Sequence, residues 1–332
     1  MQKILIIQTA FIGDAVLATG LIEKIYSFYP TAQIDFLVRK GNEALFANHP
    51  VLHKVLSWNK KQNKYKHLLQ LLKQIRNTKY DKVINVQRYA ATGFITAFSN
   101  AKETIGFDKN PFSFLFTKKI KHVVSDGSHS LHEIERNHTL IQSFTDNVAA
   151  KPKLYPSVED EAAVSIYKNK LYVCVAPASV WFTKQFPKEK WIEFINQIPN
   201  WFTIYLLGAP NDNDLCKQII TSSTHSNIIN LSGKLTYLQS AALMQTAVMN
   251  FVNDSAPMHF ASSVNAPVTA VYCSTIPAFG FGPLSTKSFI IETTENLLCR
   301  PCGLHGYKSC PQGHFKCALS IKTEQLLATV NS

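Results

Sequence analysis

One carboxylate in this 332-residue sequence stands where a parallel sheet could use it for chemistry. Asp14 follows the apolar run of residues 3–7 and the loop of residues 8–13, and a segment with helical periodicity begins beside it. Ligands of open α/β sheets bind outside the carboxyl ends of the strands, so this carboxylate could act there as a general base. The alternative is that Asp14 only caps the following helix by accepting a backbone N–H.

Lys184 has a similar position in the second half of the sequence. It lies in the loop of residues 181–187, which follows a predicted strand ending at Ala176-Pro177-Ala178. A lysine on such a loop can neutralise a leaving diphosphate as a mobile point charge. In a chain this rich in lysine, an ordinary surface lysine is the alternative.

A third feature is the run of residues 253–259, NDSAPMH, which directly follows another predicted strand. Asp254 or Ser255 as N-cap and Pro257 in the first turn predict the start of a helix. The unpaired N–H groups and the dipole at such a start favour an anion such as phosphate. A well-capped helix without a ligand would use the same residues.

The segments around these residues alternate between strand and helix patterns. In the first half, the pattern predicts strands at 3–7, 34–38 and 82–86, a helix over about 68–75 and an edge strand at 104–107. In the second half, it predicts strands at 171–176, 202–208, 228–231, 247–252 and 268–272, and helices at 159–168, 191–198 and 237–246. Prolines 152 and 156 mark a linker between the halves. This order predicts an α/β protein with two parallel, doubly wound sheets, and a cleft between facing strand ends as its site.

Composition limits the class of protein and its partners. The length predicts two domains, and no run reaches the 18 or so apolar residues of a membrane span, so we expect a cytoplasmic chain. The net charge of +12 predicts attraction to nucleic acid, phosphorylated glycans or an anionic membrane. Lysine runs at 60–66 and 118–121 are typical of solvated faces. Because no nucleic-acid-binding motif is present, we expect no nucleic-acid partner.

Two patterns are typical of metal sites. Asp212-x-Asp214 matches a cation-binding motif, but it stands just before a predicted helix, where acidic residues serve as caps. The spacing of Cys299, Cys302, Cys310 and Cys317 is compatible with structural zinc and less so with a ferric cluster, but reduced thiols in a loop are the favoured interpretation. We therefore expect no metal or other cofactor, with the cysteines as the alternative site.

A helical stretch before the linker contains His132, Glu133, Glu135 and Arg136. These residues could form an acid–base or metal-binding set. Pairs between glutamate and Arg136 on one helix face are the simpler interpretation. A glutamate that contacts a sugar is the alternative.

Together these motifs resemble the family 9 glycosyltransferases, the lipopolysaccharide heptosyltransferases. The resemblance follows the family's order along nearly the whole chain. The matching segments are residues 12–19 (IGDAVLAT), 132–137 (HEIERN), 176–178 (APA) with 184–187 (KQFP), 231–236 (LSGKLT), 253–259 (NDSAPMH), and Pro277 with Gly282-Pro283.

The resemblance implies a GT-B fold, with two Rossmann-like domains facing across a cleft. It implies an acceptor-binding domain at 1–155, a donor-binding domain at 156–318, and a helix at 319–332 that could pack back on the first domain. The implied activity is inverting, metal-independent transfer of a heptose from ADP-heptose to the inner core on lipid A, a Kdo-type acceptor, at the inner face of the cytoplasmic membrane. A non-catalytic binding relative of the same fold is the alternative.

Roles for individual residues follow from the same resemblance. Asp14 would be the general base. Donor contacts would come from Lys184, Thr183, Asp254, Ser255, Ala256 and His259, and acceptor contacts from Gly13, Glu133 and Arg136. The chain departs from the family's pattern at Ala256, where many members have Gly, and at Gly20, where many have Pro.

Overall fold

The computed structural model of the protein describes residues 1–124 and 131–330. The chain divides into two compact units, Met1–Tyr155 and Pro156–Ser332, which we call the N-terminal and the C-terminal unit. Each unit contains a six-stranded sheet in the described residues. All the strand pairings are parallel, as the alternating sequence pattern predicts.

The N-terminal sheet has the strand order β3-β2-β1-β4-β5-β6. Its strands are β1 (Lys3–Gln8), β2 (Gln33–Arg39), β3 (Leu52–Trp58), β4 (Lys82–Asn85), β5 (Glu103–Phe107) and β6 (Lys118–Ile120). The described α-helices of this unit are α1 (Ile12–Phe28), α2 (Lys64–Thr78), α3 (Ala90–Ala97) and α4 (Glu133–His138).

The C-terminal sheet has the order β12-β11-β10-β7-β8-β9. Its strands are β7 (Tyr172–Ala176), β8 (Thr203–Leu206), β9 (Ile228–Asn230), β10 (Met249–Asn253), β11 (Val268–Tyr272) and β12 (Ser288–Glu292). The described α-helices are α5 (Val158–Val164), α6 (Lys188–Gln197), α7 (Asn213–Ser222), α8 (Tyr237–Gln245), α9 (Ala256–Ser263), α10 (Lys316–Leu319) and α11 (Thr323–Leu327).

Four strands differ from the sequence prediction. The prediction omits β3, β6 and β12. Residues 104–107 belong to β5, which β6 covers on its outer side, so β5 is an interior strand and its prediction as the edge is wrong. Lys118 and Lys119 stand in β6, so part of the lysine run 118–121 is a strand and not only a solvated face.

The central strands form continuous apolar cores because parallel strands are covered on both faces. Residues 4–7 of β1 and the facing residues of α1 are fully buried. In the C-terminal unit, Trp191 and Phe194 of α6 pack on β7, β8 and β10. Each core fixes the carboxyl ends of its strands, and the candidate site residues directly follow these ends.

The segment before residue 156 is anchored and is not a free linker. Lys153 donates its backbone N–H to the Thr19 hydroxyl at 2.9 Å, and the Tyr155 hydroxyl contacts Glu23 at 2.9 Å. A Cβ on Gly20 would lie 2.5 Å from the carbonyl oxygen of Ala150. Glycine at position 20 therefore allows this segment to lie against α1.

The end of the chain packs into the core of the C-terminal unit. Ile321, Leu326 and Val330 are buried in that core, and Thr323 of α11 bonds to Glu193 of α6 at 2.8 Å. The predicted helix at 319–332 is thus divided between α10 and α11, and its last two residues lie outside the described part of the chain. The apolar side chains of this segment are therefore buried within the C-terminal unit itself.

Candidate active site

Each sheet has one point where the strand order reverses. In the N-terminal sheet the reversal falls between β1 and β4, and in the C-terminal sheet between β7 and β10. Doubly wound sheets bind ligands at such a switch point, outside the carboxyl ends of the strands. Asp14 follows β1, Lys184 follows β7 and Asp254 follows β10. The structure thus puts all three residues at switch points.

Asp14 is the third residue of α1 and is half-buried. Phe11 occupies the N-cap position, and its side chain makes no capping hydrogen bond. The interpretation of Asp14 as the N-cap is therefore wrong. In the first turn the carboxylate still interacts favourably with the helix dipole. Gly13 beside it is buried in the helix start.

Hydrogen bonds join the ends of three strands near Asp14. The Gln87 side chain, after β4, accepts from the Thr9 backbone N–H at 3.1 Å and from the Thr9 hydroxyl at 2.5 Å. Lys60, after β3, donates from Nζ to the Thr9 carbonyl at 2.6 Å. The loops at the switch point are therefore fixed to one another.

Lys60 has a pKa below that of an ordinary lysine. Burial, assisted by the positive charges of Arg39 and Lys64, lowers the pKa of Lys60 to about 8. Its ammonium also lies 4.9 Å from the centre of the Trp58 ring. A desolvated cation of this kind interacts more strongly with an anion than a solvated lysine does.

Two exposed aromatic side chains flank the same edge. Phe11 precedes α1 and is 58% exposed, and Tyr89 precedes α3 and is 66% exposed. Large aromatic rings at this exposure offer apolar faces to a ligand. Their positions after β1 and β4 put them on the two loops of the switch point.

The helix α4 supplies a buried ion pair. Arg136 donates from Nε and Nη2 to Oε2 of Glu133, at 3.0 and 2.6 Å, and from Nη1 to the Leu131 carbonyl at 2.7 Å. Glu135 and His132 form a capping box at the start of the helix. The simpler interpretation, a pair between glutamate and Arg136 on one helix face, is confirmed for Glu133. An acceptor contact from Glu133 or Arg136 stays a prediction.

Burial perturbs the groups around this pair. It raises the pKa of Glu133, while the charge of Arg136 acts in the opposite direction. Burial, together with the charges of Arg88 and Arg136, lowers the pKa of His122 to about 4, and Asp108 opposes this shift. His122 is therefore neutral at pH 7, and the local charge there comes from the arginines and acidic residues.

In the C-terminal unit, Lys184 and Asp254 form a buried ion pair. Lys184 Nζ lies 2.6 Å from Oδ2 of Asp254, and the Thr275 hydroxyl donates to the same oxygen at 2.7 Å. Breaking a buried pair by removing one partner leaves an uncompensated charge. Asp254 thereby holds the lysine in one place at the switch point.

Asn253, the last residue of β10, connects the two loops. It accepts from the Phe186 backbone N–H at 2.9 Å and donates to the Pro177 carbonyl at 2.9 Å. Asn253 is fully buried, so these bonds are shielded from water. They fix the loop that carries Lys184 against the strand before α9.

The start of α9 has the form that the sequence predicts. Ser255 occupies the N-cap position, Ala256 is the first helical residue, and Pro257 follows. Ser255 makes no side-chain capping bond, and both Ser255 and Ala256 are partly exposed. Backbone N–H groups in this first turn can therefore meet an anion. His259 lies in the next turn and is buried.

Thr183, predicted as a donor contact, is almost completely buried. Its hydroxyl accepts from the Tyr307 backbone N–H at 2.7 Å and from the Ser274 hydroxyl at 3.0 Å. The side chain thus lies in the packing behind Lys184. A direct contact with the donor stays a prediction.

The two candidate metal-binding motifs, Asp212-x-Asp214 and the cysteine cluster, make contacts with protein groups. Asp212 accepts from the Ala209 backbone N–H at 2.7 Å, and Asp214 lies in the first turn of α7, as the capping interpretation predicts. Cys299 lies 3.9 Å from His314, and the four clustered cysteines carry free thiols. In the described residues no three His, Cys, Asp or Glu side chains are arranged to hold a metal ion.

Sequence reasoning missed several of these residues. Lys60 is one of several lysines in the run 60–66, and the contact that sets it apart comes from Thr9, 51 positions away. Gln87 and Thr275 are ordinary polar residues in the sequence. Their only sequence signal is that each follows a predicted strand end.

Comparison with known proteins gives consistent matches. The family model of glycosyltransferase family 9 (heptosyltransferase) matches residues 68–304. Lipopolysaccharide heptosyltransferase 3 of Escherichia coli K12 is 24% identical over 282 residues, which cover 80% of this chain and 81% of that protein.

Two solved structures are similar over nearly the whole chain. The ADP-heptose lps heptosyltransferase II of E. coli has a TM-score of 0.81 at 19% identity, covering 99% of this chain and 98% of that one. A family 9 glycosyl transferase from Veillonella parvula has a TM-score of 0.86 at 19% identity, covering 99% and 96%. At these identities the similarity concerns the fold, and the predicted α/β fold is confirmed.

Proposed function

Because this chain belongs to glycosyltransferase family 9, the heptosyltransferases, we propose that it transfers a heptose from ADP-heptose to the inner core of lipopolysaccharide. The buried Lys184–Asp254 pair at the C-terminal switch point carries the proposal, because it sets a fixed cation beside the start of α9. The names of similar proteins, lipopolysaccharide heptosyltransferase 3 and ADP-heptose lps heptosyltransferase II, support the donor and the acceptor.

In this proposal the C-terminal unit binds the donor. Lys184 and the N–H groups at Ser255 and Ala256 bind the diphosphate, and the helix dipole adds to the attraction. Asp254 orients Lys184. The cationic pocket stabilises the charge that develops on the leaving ADP.

The N-terminal unit supplies the general base. Inversion at the anomeric carbon needs a single carboxylate to remove the proton from the attacking hydroxyl. Asp14 is half-buried at a switch point, which suits this role. The acceptor hydroxyl loses its proton to Asp14 as the new glycosidic bond forms and the bond to ADP breaks.

The acceptor is an anionic core saccharide on lipid A, of the Kdo type. The Lys60 ammonium is desolvated at the same edge as Asp14, so it can bind a carboxylate or phosphate of the acceptor. Arg136 is already paired with Glu133, so these two residues shape the acceptor side of the site and Lys60 supplies its charge.

Metal independence is part of the proposal. The lysine and the helix start can hold the diphosphate without a divalent cation, and Asp212 already serves as a cap. Turnover should therefore survive saturating EDTA. Loss of activity that magnesium or manganese restores would contradict this.

The enzyme is proposed to act at the inner face of the cytoplasmic membrane, where it would attach peripherally. Among the helices in the described residues, none is long and apolar enough to span a bilayer. Association would then depend on the basic surface of the N-terminal unit.

The test is product analysis by mass spectrometry after incubation with ADP-heptose and a truncated core acceptor. We expect an acceptor mass increased by one heptose and release of ADP. NMR of the isolated product should show the anomeric configuration opposite to that of the donor. Lys184→Ala should weaken ADP binding in calorimetry. If the chain binds ADP but no acceptor gains mass, the alternative of a non-catalytic binding relative is favoured instead.

A further inference from the structure

We propose that the segment of residues 300–307 is a brace that positions Lys184 for the donor diphosphate, through Thr183 and Gly306. This segment lies in the cysteine-rich region that the proposed mechanism does not use. The inference rests on the donor role proposed above for Lys184. It assigns Thr183 and Gly306 as positioning residues that need not touch the donor.

Backbone pairing joins the brace to the loop of Lys184. Thr183 donates its backbone N–H to the Tyr307 carbonyl at 3.1 Å, and Tyr307 donates its own N–H to the Thr183 hydroxyl at 2.7 Å. Ser274, after β11, donates its N–H to the Thr183 carbonyl at 3.2 Å and its hydroxyl to the Thr183 hydroxyl at 3.0 Å. The residue before Lys184 is thus fixed on two sides by hydrogen bonds, and the hydroxyl bond with Ser274 is buried.

Gly306 packs directly on the lysine side chain. Its φ is +75°, in the region that favours glycine, and a Cβ there would lie 2.9 Å from Lys184 Cγ and 3.0 Å from the Thr183 hydroxyl. Cγ belongs to the stem of the side chain, so displacing it also moves the ammonium. The brace therefore forms one wall of the space in which Lys184 extends.

Arg300 anchors the other end of the brace to the strand edge. Its guanidinium donates to the carbonyls of Cys273 and Thr275, both at 2.8 Å, and to Glu292 at 2.7 Å. The Thr275 hydroxyl in turn bonds to Asp254, the partner of Lys184. One end of the brace thus reaches the carboxylate of the ion pair, and the other end reaches the lysine.

Such a brace pre-organises Lys184, because it holds the side chain in its binding position before the donor arrives. A lysine side chain loses rotamer entropy when it is fixed on a phosphate. Contacts that hold the side chain before the donor arrives reduce this loss on binding. Because Lys184 would stabilise the leaving diphosphate, its position affects both ADP affinity and turnover.

Two glycine variants test the brace. Gly306→Ala adds a methyl group against Lys184, whereas Gly313→Ala has nearly the same φ, +71°, and no atom within 4 Å. Both place an alanine at nearly the same positive φ, so the variants differ chiefly in the contact with Lys184 and Thr183. We expect Gly306→Ala to weaken ADP binding roughly tenfold in calorimetry and Gly313→Ala to leave it unchanged. Equal losses, or no loss in Gly306→Ala, would overturn the proposal.

Thr183 variants provide a second route. Thr183→Val removes the acceptor for Tyr307 and Ser274, and Thr183→Ser keeps it. Thr183→Val should raise the donor KM and lower ADP affinity more than AMP affinity, with recovery in Thr183→Ser. If Thr183→Val reduces AMP and ADP affinity by the same factor, the brace does not act through the diphosphate.

A double mutant separates this inference from the proposed function. If Gly306 acts through Lys184, Gly306→Ala should have no further effect on ADP affinity in the Lys184→Ala background. An additive effect would overturn the brace alone. If Lys184→Ala itself leaves ADP affinity unchanged, the donor role fails, and the brace fails with it.

Discussion

Asp14 is the third residue of α1, where its carboxylate interacts with the helix dipole and would also act as the general base. One substitution separates these two roles. Asn at this position loses the interaction of a charge with the helix dipole, which is worth about 0.3–1 kcal/mol, and it cannot accept a proton. We expect Asp14→Asn to fold with a nearly unchanged Tm and ADP affinity, while turnover falls by roughly 10²- to 10⁴-fold.

Glu189 offers a matched control, because it also lies in the first turn of a helix, α6, and its side chain is exposed. Glu189→Gln should change Tm as little as Asp14→Asn does and leave turnover intact. If Asp14→Asn kept most of its activity, Asp14 would not be the base, and Glu133 and Glu135 would be examined next.

The lowered pKa of Lys60 predicts that acceptor binding depends on pH. The pKa is lowered to about 8, so Lys60 loses its charge as pH rises through 8. The protonated fraction then falls about tenfold between pH 7 and pH 9, and kcat/KM for the acceptor should fall with it. Lys60→Arg remains charged over this range, so its profile should stay flat above pH 8.

Lys61→Arg is the control, since Lys61 is exposed and lies in the same lysine run. It should keep the wild-type profile. Identical profiles for wild type and Lys60→Arg would show that Lys60 does not bind the acceptor anion.

The sequence predicts the positions of single residues relative to strands, but not their partners. Asp14 and Lys184 could be located because each follows an apolar strand pattern. The ion pair of Lys184 with Asp254 joins residues 70 positions apart, and only the parallel pairing of β7 with β10 brings them together. For the same reason Lys60 could not be distinguished from its neighbours in the lysine run.

At the scale of elements, the central strands are predictable, whereas of the four edge strands only β9 is predicted. β1, β4, β7 and β10 are covered on both faces and form apolar runs. β3 and β12 are edge strands with several partly or fully exposed residues, so their sequences lack such runs. β6 has only three residues, two of them lysines. The switch points lie among the central strands, so candidate residues there could be located although three of the four edge strands were missed.

The anchoring of residues 150–155 on α1 gives a prediction for Gly20. At an exposed helical position, Gly→Ala stabilises by about 1 kcal/mol. Here the added Cβ would lie 2.5 Å from the Ala150 carbonyl, and overpacking of this kind costs about 1–3 kcal/mol. We therefore expect Gly20→Ala to lower the free energy of unfolding in urea.

Ser27→Ala, in the exposed last turn of the same helix, is the control and should not lower stability, since Ala has the higher helix propensity. A Gly20→Ala variant at least as stable as wild type would mean that the segment moves away from α1 at no cost.

At the scale of the whole molecule, the positive charge is concentrated in one unit. Residues 1–155 contain 22 Lys and Arg against 11 Asp and Glu, a net +11, and residues 156–332 contain 12 against 11, a net +1. A donor such as a nucleotide sugar needs only a local cation, which Lys184 would supply in the proposed function. A charge spread over the other unit is better explained by an extended anionic partner.

The helix α2 has exposed apolar and basic residues side by side, as a membrane-binding surface requires. Its exposed residues include Tyr65 and Leu69, 71% and 57% exposed, next to the basic residues Lys66 and Lys73. Apolar side chains flanked by lysines are typical of surfaces that bind anionic lipid. We therefore expect the full chain to bind vesicles that contain phosphatidylglycerol, with an affinity that falls steeply as salt increases.

Charge-neutralising variants test whether this binding belongs to the N-terminal unit. Each lysine near an anionic surface contributes about 1 kcal/mol, so replacing Lys61, Lys64 and Lys66 by Gln should weaken vesicle binding by roughly 10²-fold. The control replaces three exposed lysines of the C-terminal unit, Lys170, Lys217 and Lys234, by Gln and removes the same charge. If both triple variants lose affinity equally, net charge alone governs binding, and if neither does, the charge of the N-terminal unit serves another partner.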